Sequence, residues 1–331
     1  MQNLYPIWGG AEKSADTLIK LLESRGHKVQ WMCQSNQEEI EPKLHDIMTE
    51  VDVVVTQLMW TPKATQLAEK YNKKSVVFIR SYENVCRVVF SDPKFHADCG
   101  QQCTGCEHKI TGYEQQGMAL RKADLIIANS NWMKLFLHER HSLKSEVVYP
   151  FINFDEYSKI EPVNGKFHHK YITMNQMSYA KGADIFFKIA QSMPFENFKL
   201  VGNKGWMPPH SHPNNVKVEQ FQKPDKMYAE ASIWLNPARW QEPFGRTVIE
   251  AQLAQVPVLT SSYSTIILDG KLHKTGGLKI KDLTNISEWK TKIKKIKKNP
   301  KRFINKEAQT NLKPFSSEVN TERFLELMEN I

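Results

Sequence analysis

The stretch that decides the fold has two parts, SIWLNP at residues 232–237 and EPFGRTVIE at residues 242–250. The first part is an apolar run that ends in a loop, and it predicts a buried strand of a parallel sheet. The second part is a Pro-Phe-Gly turn that opens a helix, with a carboxylate at each end. Backbone N–H groups at a helix start favour an anion, and carboxylates accept hydrogen bonds from hydroxyl groups. The stretch therefore predicts a binding site for a phosphorylated ligand rich in hydroxyl groups.

Length and composition are typical of a two-domain globular protein. The 331 residues suit two domains of roughly 150 residues each. Hydrophobic residues make up 40% of the chain and charged residues 24%. The sequence contains no apolar run near the ~20 residues that span a bilayer and no recognisable signal peptide, which predicts a cytoplasmic protein. The net charge of +9 favours anionic partners such as nucleotide sugars, phospholipid surfaces or nucleic acid, and a lysine-rich composition without such a partner is the alternative.

Apolar runs and amphipathic stretches alternate along the first half of the chain. The spacing of apolar residues predicts helices at residues 11–25, 61–71 and 112–122. Runs that are apolar throughout, which is typical of parallel strands covered on both faces, occupy residues 29–33, 51–55, 75–79 and 123–128. This half is therefore predicted to be a doubly wound α/β domain.

The periodicity breaks at residues 153–169 and then restarts. In the second half, strands are predicted at residues 170–174, 198–201, 216–221, 232–236 and 256–260, and helices at residues 182–192 and 246–254. We place an amino-terminal domain at residues 1–155 and a carboxyl-terminal domain at residues 165–315, and we expect residues 316–331 to form a helix that packs back toward the first domain. Two Rossmann-like domains in succession predict a ligand cleft at the carboxyl ends of their strands.

Two further loops contain residue types that bind phosphate. Gly9 and Gly10 precede the first helix, where a glycine pair lets the backbone pass close to a ligand, although Gly-Gly is also a common turn. Lys181 lies at a predicted helix start, where its ammonium group can neutralise a diphosphate. A solvated lysine is the alternative interpretation.

The segment 242–250 resembles the E-x7-E signature of the retaining GT-B glycosyltransferases of group 1. The resemblance implies a GT-B fold, with two Rossmann-like domains facing a central cleft. It implies that Glu250 binds the ribose hydroxyls of a nucleotide and that Glu242 lies near the donor sugar. It also implies contacts to sugar and phosphate from four residues of the turn, namely Phe244, Gly245, Arg246 and Thr247.

Other segments are similar to the same family in order along the chain. Residues 9–12 are similar to its Gly-Gly-Ala-Glu loop, which assigns Gly9 and Gly10 to the donor site. Gly202 matches a glycine turn beside the nucleotide. Within residues 175–182, Lys181 matches a lysine that binds the donor diphosphate, whereas Gln176 stands where arginine is usual.

This resemblance also implies the composition of the reacting centre. Arg239 or Arg246 would have to supply the charge that Gln176 lacks. Arg80 follows a strand at the place where many relatives have a histidine near the reacting sugar, and an arginine cannot act as a base at neutral pH. We therefore expect catalytic roles for Glu242, Lys181 and Arg80.

Four of the five cysteines form the cluster Cys86-x12-Cys99-x3-Cys103-x2-Cys106. Thiolates at this spacing in a cytoplasmic protein favour a structural zinc site, with an iron–sulfur cluster, free thiols or a disulfide as alternatives. A similar Cys-rich insertion follows the same strand in some sugar transferases of this family, which assigns residues 86–106 to an insertion in the acceptor domain. Cys33 is predicted to be a buried strand residue.

Residues 290–302 are rich in lysine, and Trp289, Ile293 and Ile296 in and just before this stretch lie at helical spacing. A basic amphipathic helix can rest on an anionic membrane or on nucleic acid. The alternative is a solvated helix whose apolar seam packs against its own domain.

The resemblance implies a retaining glycosyltransferase that moves a sugar from a nucleoside diphosphate sugar, such as a UDP-sugar, to a hydroxyl acceptor without a catalytic metal. A glycan or lipid-linked acceptor of polysaccharide or glycolipid synthesis is expected, at the inner face of the membrane. Glycosylation of modified DNA is one alternative. A sugar-binding protein without catalytic activity is another, because Gln176 and Arg80 depart from the family pattern. The oligomeric state is left open.

Overall fold

A computed structural model describes residues 9–32, 37–85, 114–161, 170–202, 212–220, 222–262 and 277–331. These residues form two compact units. The amino-terminal unit contains the described residues up to Ile152 together with Phe315–Ile331, and the carboxyl-terminal unit contains those of Asn153–Pro314.

The amino-terminal unit is built on a parallel sheet. Its strands are β1 (Val53–Gln57), β2 (Lys74–Ile79), β3 (Leu125–Ala128) and β4 (Glu146–Val147), paired in the order β1-β2-β3-β4. Its helices up to this point in the chain are α1 (Gly10–Ser24), α2 (Gln37–Ile40), α3 (Leu44–Glu50), α4 (Thr61–Lys70), α5 (Glu114–Lys122) and α6 (Asn131–His141). The inner strand β2 is buried along almost its whole length, which explains its unbroken apolar run.

The carboxyl-terminal unit is built on a larger parallel sheet. Its helices are α7 (Asp155–Ser158), α8 (Ala183–Gln191), α9 (Pro224–Ala229), α10 (Arg246–Leu253), α11 (Ile286–Lys298) and α12 (Ala308–Asn311). Its strands are β5 (Tyr171–Asn175), β6 (Phe198–Val201), β7 (Val216–Glu219), β8 (Ala231–Asn236), β9 (Val258–Thr260) and β10 (Gly277–Lys279). The sheet order is β10-β9-β8-β5-β6-β7.

The strand order of this sheet reverses next to β5, which pairs with β6 on one side and with β8 on the other. In open α/β sheets, ligands bind outside the carboxyl ends of the strands at such a switch point. The loops that follow β5 and β8 therefore lie where a ligand is expected.

The last helix of the chain, α13 (Ser317–Met328), belongs to the amino-terminal unit. Its Phe324 packs against Phe78 of β2 at a ring-centroid distance of 5.6 Å. The side chain of Asn320 accepts a hydrogen bond from the backbone N–H of Tyr149 at 2.8 Å. The final helix thus completes the core of the first sheet.

The predicted α/β class with two parallel sheets is confirmed. The strand predicted at residues 29–33 is wrong for residues 29–32, which form no strand. Trp31 in this segment is exposed, whereas a strand covered on both faces would bury it. Cys33 lies outside the described residues.

In the lysine-rich stretch, Trp289, Ile293 and Ile296 of α11 are buried in the core of the carboxyl-terminal unit. The apolar seam is therefore used for packing, as the alternative interpretation predicted. Among the described helices, none combines the length and the apolar character needed to cross a bilayer.

Candidate functional site

The loops after β5 and β8 are in direct contact at the switch point. The backbone N–H of Arg239 donates to the carbonyl oxygen of Ala180 at 2.9 Å. Gly182 has a φ of +82°, and a Cβ atom at this position would overlap the carbonyl oxygen of Pro237. A glycine is required here both by the backbone conformation and by the close approach of the second loop.

This contact brings together Lys181 and Glu242, two of the predicted catalytic residues. Lys181 Nζ lies 2.5 Å from Glu242 Oε2, and both side chains are largely buried. Trp240 Nε1 donates to the same carboxylate oxygen at 2.9 Å, and Lys181 Nζ lies 4.9 Å from the centre of the Trp240 ring. A lysine ammonium has three donors, so Lys181 can serve Glu242 and an anionic ligand together.

The charge of Arg239, which follows β8, is paired with an acidic side chain of the same unit. Its Nε donates to Asp184 Oδ1 at 2.9 Å, and a second guanidinium nitrogen pairs with the other oxygen of Asp184. The guanidinium carbon lies 4.5 Å from the centre of the Tyr179 ring. The hydrogen bond to Asp184 raises the pKa of Arg239 further above its ordinary value, although partial burial opposes this.

Glu250 lies in a buried polar cluster of the carboxyl-terminal unit. Its Oε1 accepts a hydrogen bond from the hydroxyl of Tyr157 at 2.9 Å and lies 2.5 Å from Arg246 Nε. Its Oε2 accepts from the hydroxyl of Tyr228 at 2.8 Å. The carboxylate thus accepts from hydroxyl groups, as the sequence predicts for this position, but here two tyrosines supply the hydroxyls.

The electrostatics of this cluster keep Glu250 paired. Burial and then the charge of Glu250 raise the pKa of Tyr157 and Tyr228 well above the ordinary range, so both phenols stay protonated and donate. Burial acts to lower the pKa of Arg246, but Glu250 outweighs it and the pKa is raised. Arg246 therefore stays charged beside Glu250, and a ribose hydroxyl would compete with these donors.

The start of α10 carries the remaining predicted residues of the turn. Gly245 is the N-cap, with a φ of +86°, and Phe244 before it is buried. Thr247 is half-buried in the first turn, where backbone N–H groups favour negative charge. Glu242 and the start of α10 thus lie in the same loop after β8, and Lys181 from the loop after β5 contacts this loop through Glu242.

Gln176 and Gly202 meet at the ends of β5 and β6. The backbone N–H of Gln176 donates to the carbonyl oxygen of Val201 at 2.8 Å. Gln176 has a φ of +64° and an exposed side chain. A Cβ atom on Gly202 would lie 3.1 Å from the nitrogen of Gln176, so this close turn favours glycine.

Arg80 lies at the end of β2 in the amino-terminal unit and is buried. Its Nε donates to Gln57 Oε1 at 2.9 Å, and another guanidinium nitrogen donates to Ser14 Oγ at 3.4 Å. The guanidinium carbon lies 4.2 Å from the centre of the Phe78 ring. These contacts tie β1, β2 and α1 together, which gives Arg80 a structural role besides any role in binding.

The predicted Gly-Gly loop is the N-terminus of α1. Gly9 is the N-cap and Gly10 the first helical residue. The carboxylate of Glu12 occupies the space that a Cβ atom on Gly9 would need. Burial and then the charge of Glu12 raise the pKa of Glu83, in the loop after β2, to about 7. Two carboxyl groups therefore lie near the carboxyl end of this sheet.

The predicted metal site lies outside the described residues, because Cys86, Cys99, Cys103 and Cys106 are not among them. Among the residues that the structure does describe, no group of three or more His, Cys, Asp or Glu side chains could hold a metal ion. The zinc site stays a prediction.

Sequence reasoning missed the partners of the predicted residues, chiefly Trp240, Asp184, Tyr157 and Tyr228. Trp240 lies two positions before Glu242, so an indole donor near that carboxylate was open to prediction. Tyr157 lies 93 residues from Glu250 in the sequence. Nothing in its local sequence indicates that contact.

Comparisons with known proteins give a family match to part of the chain and one distant relative. Residues 156–313 match the family model described as glycosyl transferases group 1. The chain is 23% identical over 305 residues to a Klebsiella pneumoniae protein described as an uncharacterized 42.6 kDa protein in cps region. The alignment covers 76% of this chain and 81% of that protein.

Solved glycosyltransferase structures resemble most or all of the chain. HepE from Anabaena, in complex with UDP and glucose, is 16% identical with a TM-score of 0.68, covering 100% of this chain and 98% of that one. A glycosyltransferase from Rickettsia africae is 17% identical with a TM-score of 0.70, covering 100% and 96%. Sucrose-phosphate synthase from Thermosynechococcus elongatus is 15% identical with a TM-score of 0.67, covering 92% and 81%. The chain has the GT-B fold, and its carboxyl-terminal unit carries the group 1 match.

Proposed function

We propose that this protein is a retaining glycosyltransferase that transfers a sugar from a UDP-sugar to a hydroxyl acceptor. The observation that carries the proposal is the Lys181–Glu242 pair beside the start of α10, at the switch point of the second sheet. The group 1 match over residues 156–313 supports the reaction class. HepE, whose structure contains UDP and glucose, supports the choice of donor.

Donor binding is assigned to the carboxyl-terminal unit. Lys181 and the backbone N–H groups at the start of α10 bind the diphosphate, because both carry positive or partial positive charge. Glu242 orients a hydroxyl of the donor sugar. Glu250 accepts hydrogen bonds from the ribose, in exchange for those it receives from the tyrosine hydroxyls.

The chemistry requires charge stabilisation more than a protein base. The acceptor oxygen forms a bond to the anomeric carbon on the face from which the diphosphate departs, and the carbon–oxygen bond to the diphosphate breaks. The proton of the acceptor hydroxyl passes to the leaving diphosphate. Lys181 stabilises the charge that develops on this group, and electrostatic stabilisation of this kind is often the largest contribution to enzymatic catalysis.

The acceptor belongs to the class of glycans or lipid-linked glycans. The Klebsiella pneumoniae relative is described as lying in a cps region, which supports a role in surface polysaccharide synthesis. We assign acceptor recognition to the amino-terminal unit, whose Glu12 and Glu83 supply hydrogen-bond acceptors near the sheet end. Such a protein would act in the cytoplasm.

The donor is tested first by thermal shift with UDP-glucose, UDP-galactose, UDP-N-acetylglucosamine and GDP-mannose, because a bound donor raises the melting temperature. Nucleotide release is then measured with the best donor. Glu250→Gln is expected to lose most of the shift, and the control Glu161→Gln, at an exposed position of the same unit, is expected to keep it. The proposal fails if no nucleotide sugar shifts the melting temperature or releases its nucleotide, which would favour a protein without transferase activity.

The structural zinc prediction is tested separately. Thiolates bind zinc only when deprotonated, and binding couples to local folding. We expect about one equivalent of zinc in the purified protein and its loss on replacing Cys103 and Cys106 by serine. Less than about half an equivalent, with four reactive thiols, would contradict the prediction.

A further inference from the structure

Helix α11 presents a lysine-rich face on the carboxyl-terminal unit. Lys290, Lys294, Lys297 and Lys298 follow one another at helical spacing, so they share one side of the helix. Lys294, Lys297 and Lys298 are exposed and Lys290 is partly exposed. We call these four residues, together with Phe195, the α11 surface.

The orientation of this face is fixed by packing. Trp289, Ile293 and Ile296 on another side of α11 are fully buried in the core of the unit. Trp289 Nε1 also donates to the carbonyl oxygen of Leu283 at 3.0 Å. The helix therefore cannot rotate its lysines away from solvent without exposing the seam, which would forfeit roughly 25 cal/mol per Å² of apolar area.

The positive charge of the face is poorly balanced. Lys297 pairs with Glu196 from the loop after α8. For Lys290, Lys294 and Lys298, no ion pair is found to an acidic side chain of the described residues. Lys301 and Arg302, both exposed, extend the charge beyond the end of the helix. The surface is thus suited to a multivalent anionic partner.

Phe195 is the second and independent observation. It is the neighbour of Glu196, the partner of Lys297, and its side chain is fully exposed. A single exposed apolar side chain is common on protein surfaces, so the relevant observation is its position, next to a residue that pairs with the cationic face.

The loop that carries Phe195 is held by hydrogen bonds. Asn215 Nδ2 donates to the carbonyl oxygens of Ala190, Met193 and Glu196 at 3.0, 3.0 and 2.9 Å. Met193, two positions before Phe195, is buried in the same core as α11. The phenyl ring is therefore displayed in a fixed place and is not at the tip of an unanchored loop.

We propose that the α11 surface binds an anionic phospholipid bilayer, with the lysines at the headgroups and Phe195 inserted at the interface. Clustered lysines are attracted to the anionic headgroups of a bilayer, and an adjacent phenyl ring gains by leaving water for the apolar layer. Nucleic acid would also use the lysines, but a phenyl ring enters a duplex only by unstacking base pairs, which a bilayer does not require. The proposal is independent of the sugar-transfer proposal, because none of its residues is assigned to donor or acceptor binding.

The test is sedimentation of the full chain with vesicles of phosphatidylcholine containing 30% phosphatidylserine, against vesicles of phosphatidylcholine alone. We expect binding to the anionic vesicles that weakens with salt. Each lysine at the membrane surface contributes about fivefold to partitioning, so replacing Lys290, Lys294 and Lys298 together by glutamine is expected to reduce binding about 100-fold. Phe195→Ser is expected to reduce it about tenfold.

A matched control replaces three other exposed lysines of the same unit by glutamine, namely Lys223, Lys226 and Lys306. It changes the net charge equally and is expected to alter binding less than threefold. Equal loss in both triple variants would overturn the proposal, because binding would then follow total charge. The proposal is also overturned if the wild-type chain fails to bind anionic vesicles, or if Phe195→Ser binds as well as the wild type. Salt-dependent binding to duplex DNA without binding to vesicles would assign the surface to nucleic acid. Unchanged melting temperatures establish that the variants are folded.

Discussion

Lys181 Nζ lies 2.5 Å from Glu242 Oε2 and so connects the loop after β5 to the loop after β8. Because the strand order reverses between these two strands, the pair spans the switch point of the sheet. The carboxylate neutralises the lysine in the absence of a ligand. A diphosphate must therefore share the ammonium group with Glu242, and replacing either partner is expected to affect donor binding in opposite directions.

Lys181→Ala is expected to lower kcat/KM for the best UDP-sugar about 100-fold or more, because the leaving diphosphate loses a cationic donor. The affinity for UDP should fall as well. Glu242→Gln is expected to raise the affinity for UDP while lowering turnover, because it removes the anion that competes for Lys181. Steady-state kinetics and calorimetric titration with UDP measure the two effects.

Lys226→Ala is the control for this pair, since Lys226 is exposed on α9 of the same unit. It is expected to change neither UDP affinity nor turnover. Unchanged turnover in Lys181→Ala would contradict the assigned role of Lys181. A drop in UDP affinity in Glu242→Gln would contradict the competition.

The sequence predicts the strands well where burial on both faces leaves an unbroken apolar run, as in β2 and β8. The prediction fails at residues 29–32, where Trp31 is exposed and no strand forms. A short run that contains apolar residues has the same sequence pattern whether or not it joins a sheet. Helix α6 and strand β10 were not predicted. Strand β10 has only three residues, none of them fully buried, so its periodicity is too short to be recognised.

The location of the candidate site could be predicted from the sequence, but the side-chain partners of its residues could not. That Lys181 and Glu242 follow neighbouring parallel strands could be expected from the α/β pattern, which puts strand ends at one edge. The hydrogen bonds from Tyr157 and Tyr228 to Glu250 could not be expected, because they depend on how α7 and α9 pack against α10. Long-range side-chain pairing leaves no periodic signal in a single sequence.

Gly182→Ala is expected to destabilise the protein far more than Gly26→Ala. Both glycines have a φ near +85°, at +82° and +88°, so the backbone strain of about 1–2 kcal/mol is common to both. A Cβ atom on Gly182 would overlap the carbonyl of Pro237, whereas one on Gly26 meets nothing within 4 Å. Urea unfolding of both variants measures the difference, and equal destabilisation would mean that the two loops are not in contact.

Glu83 makes stability depend on pH. Its pKa is raised from 4.5 to about 7 by burial and by Glu12, so between these pH values the folded state holds a proton that the unfolded chain has lost. The contribution of the protonated Glu83 to the free energy of unfolding is fully present below pH 4.5 and is lost as the pH rises through about 7. Glu83→Gln should therefore stabilise the protein at pH 8 relative to pH 5, by about 3 kcal/mol at most.

Thermal unfolding of Glu83→Gln at pH 5 and pH 8 measures this effect. Glu139→Gln, at an exposed position of the same unit, is the control variant and is measured under the same conditions. If Glu83→Gln gives the same change in melting temperature at both pH values, Glu83 does not retain its proton.

Tyr228→Phe separates the structural role of Glu250 from its role in binding. The variant removes the hydroxyl that donates to Oε2 at 2.8 Å, so a buried carboxylate loses a hydrogen bond at a cost of about 1–3 kcal/mol. The melting temperature should fall by several degrees. The affinity for UDP should be kept or raised, because a ribose hydroxyl no longer competes with the tyrosine.

Tyr171→Phe is the control, since this half-buried tyrosine makes no side-chain hydrogen bond to the described residues. If Tyr228→Phe is as stable as the control but loses UDP affinity, the hydroxyl of Tyr228 itself contacts the ligand, and the proposed exchange at Glu250 is wrong.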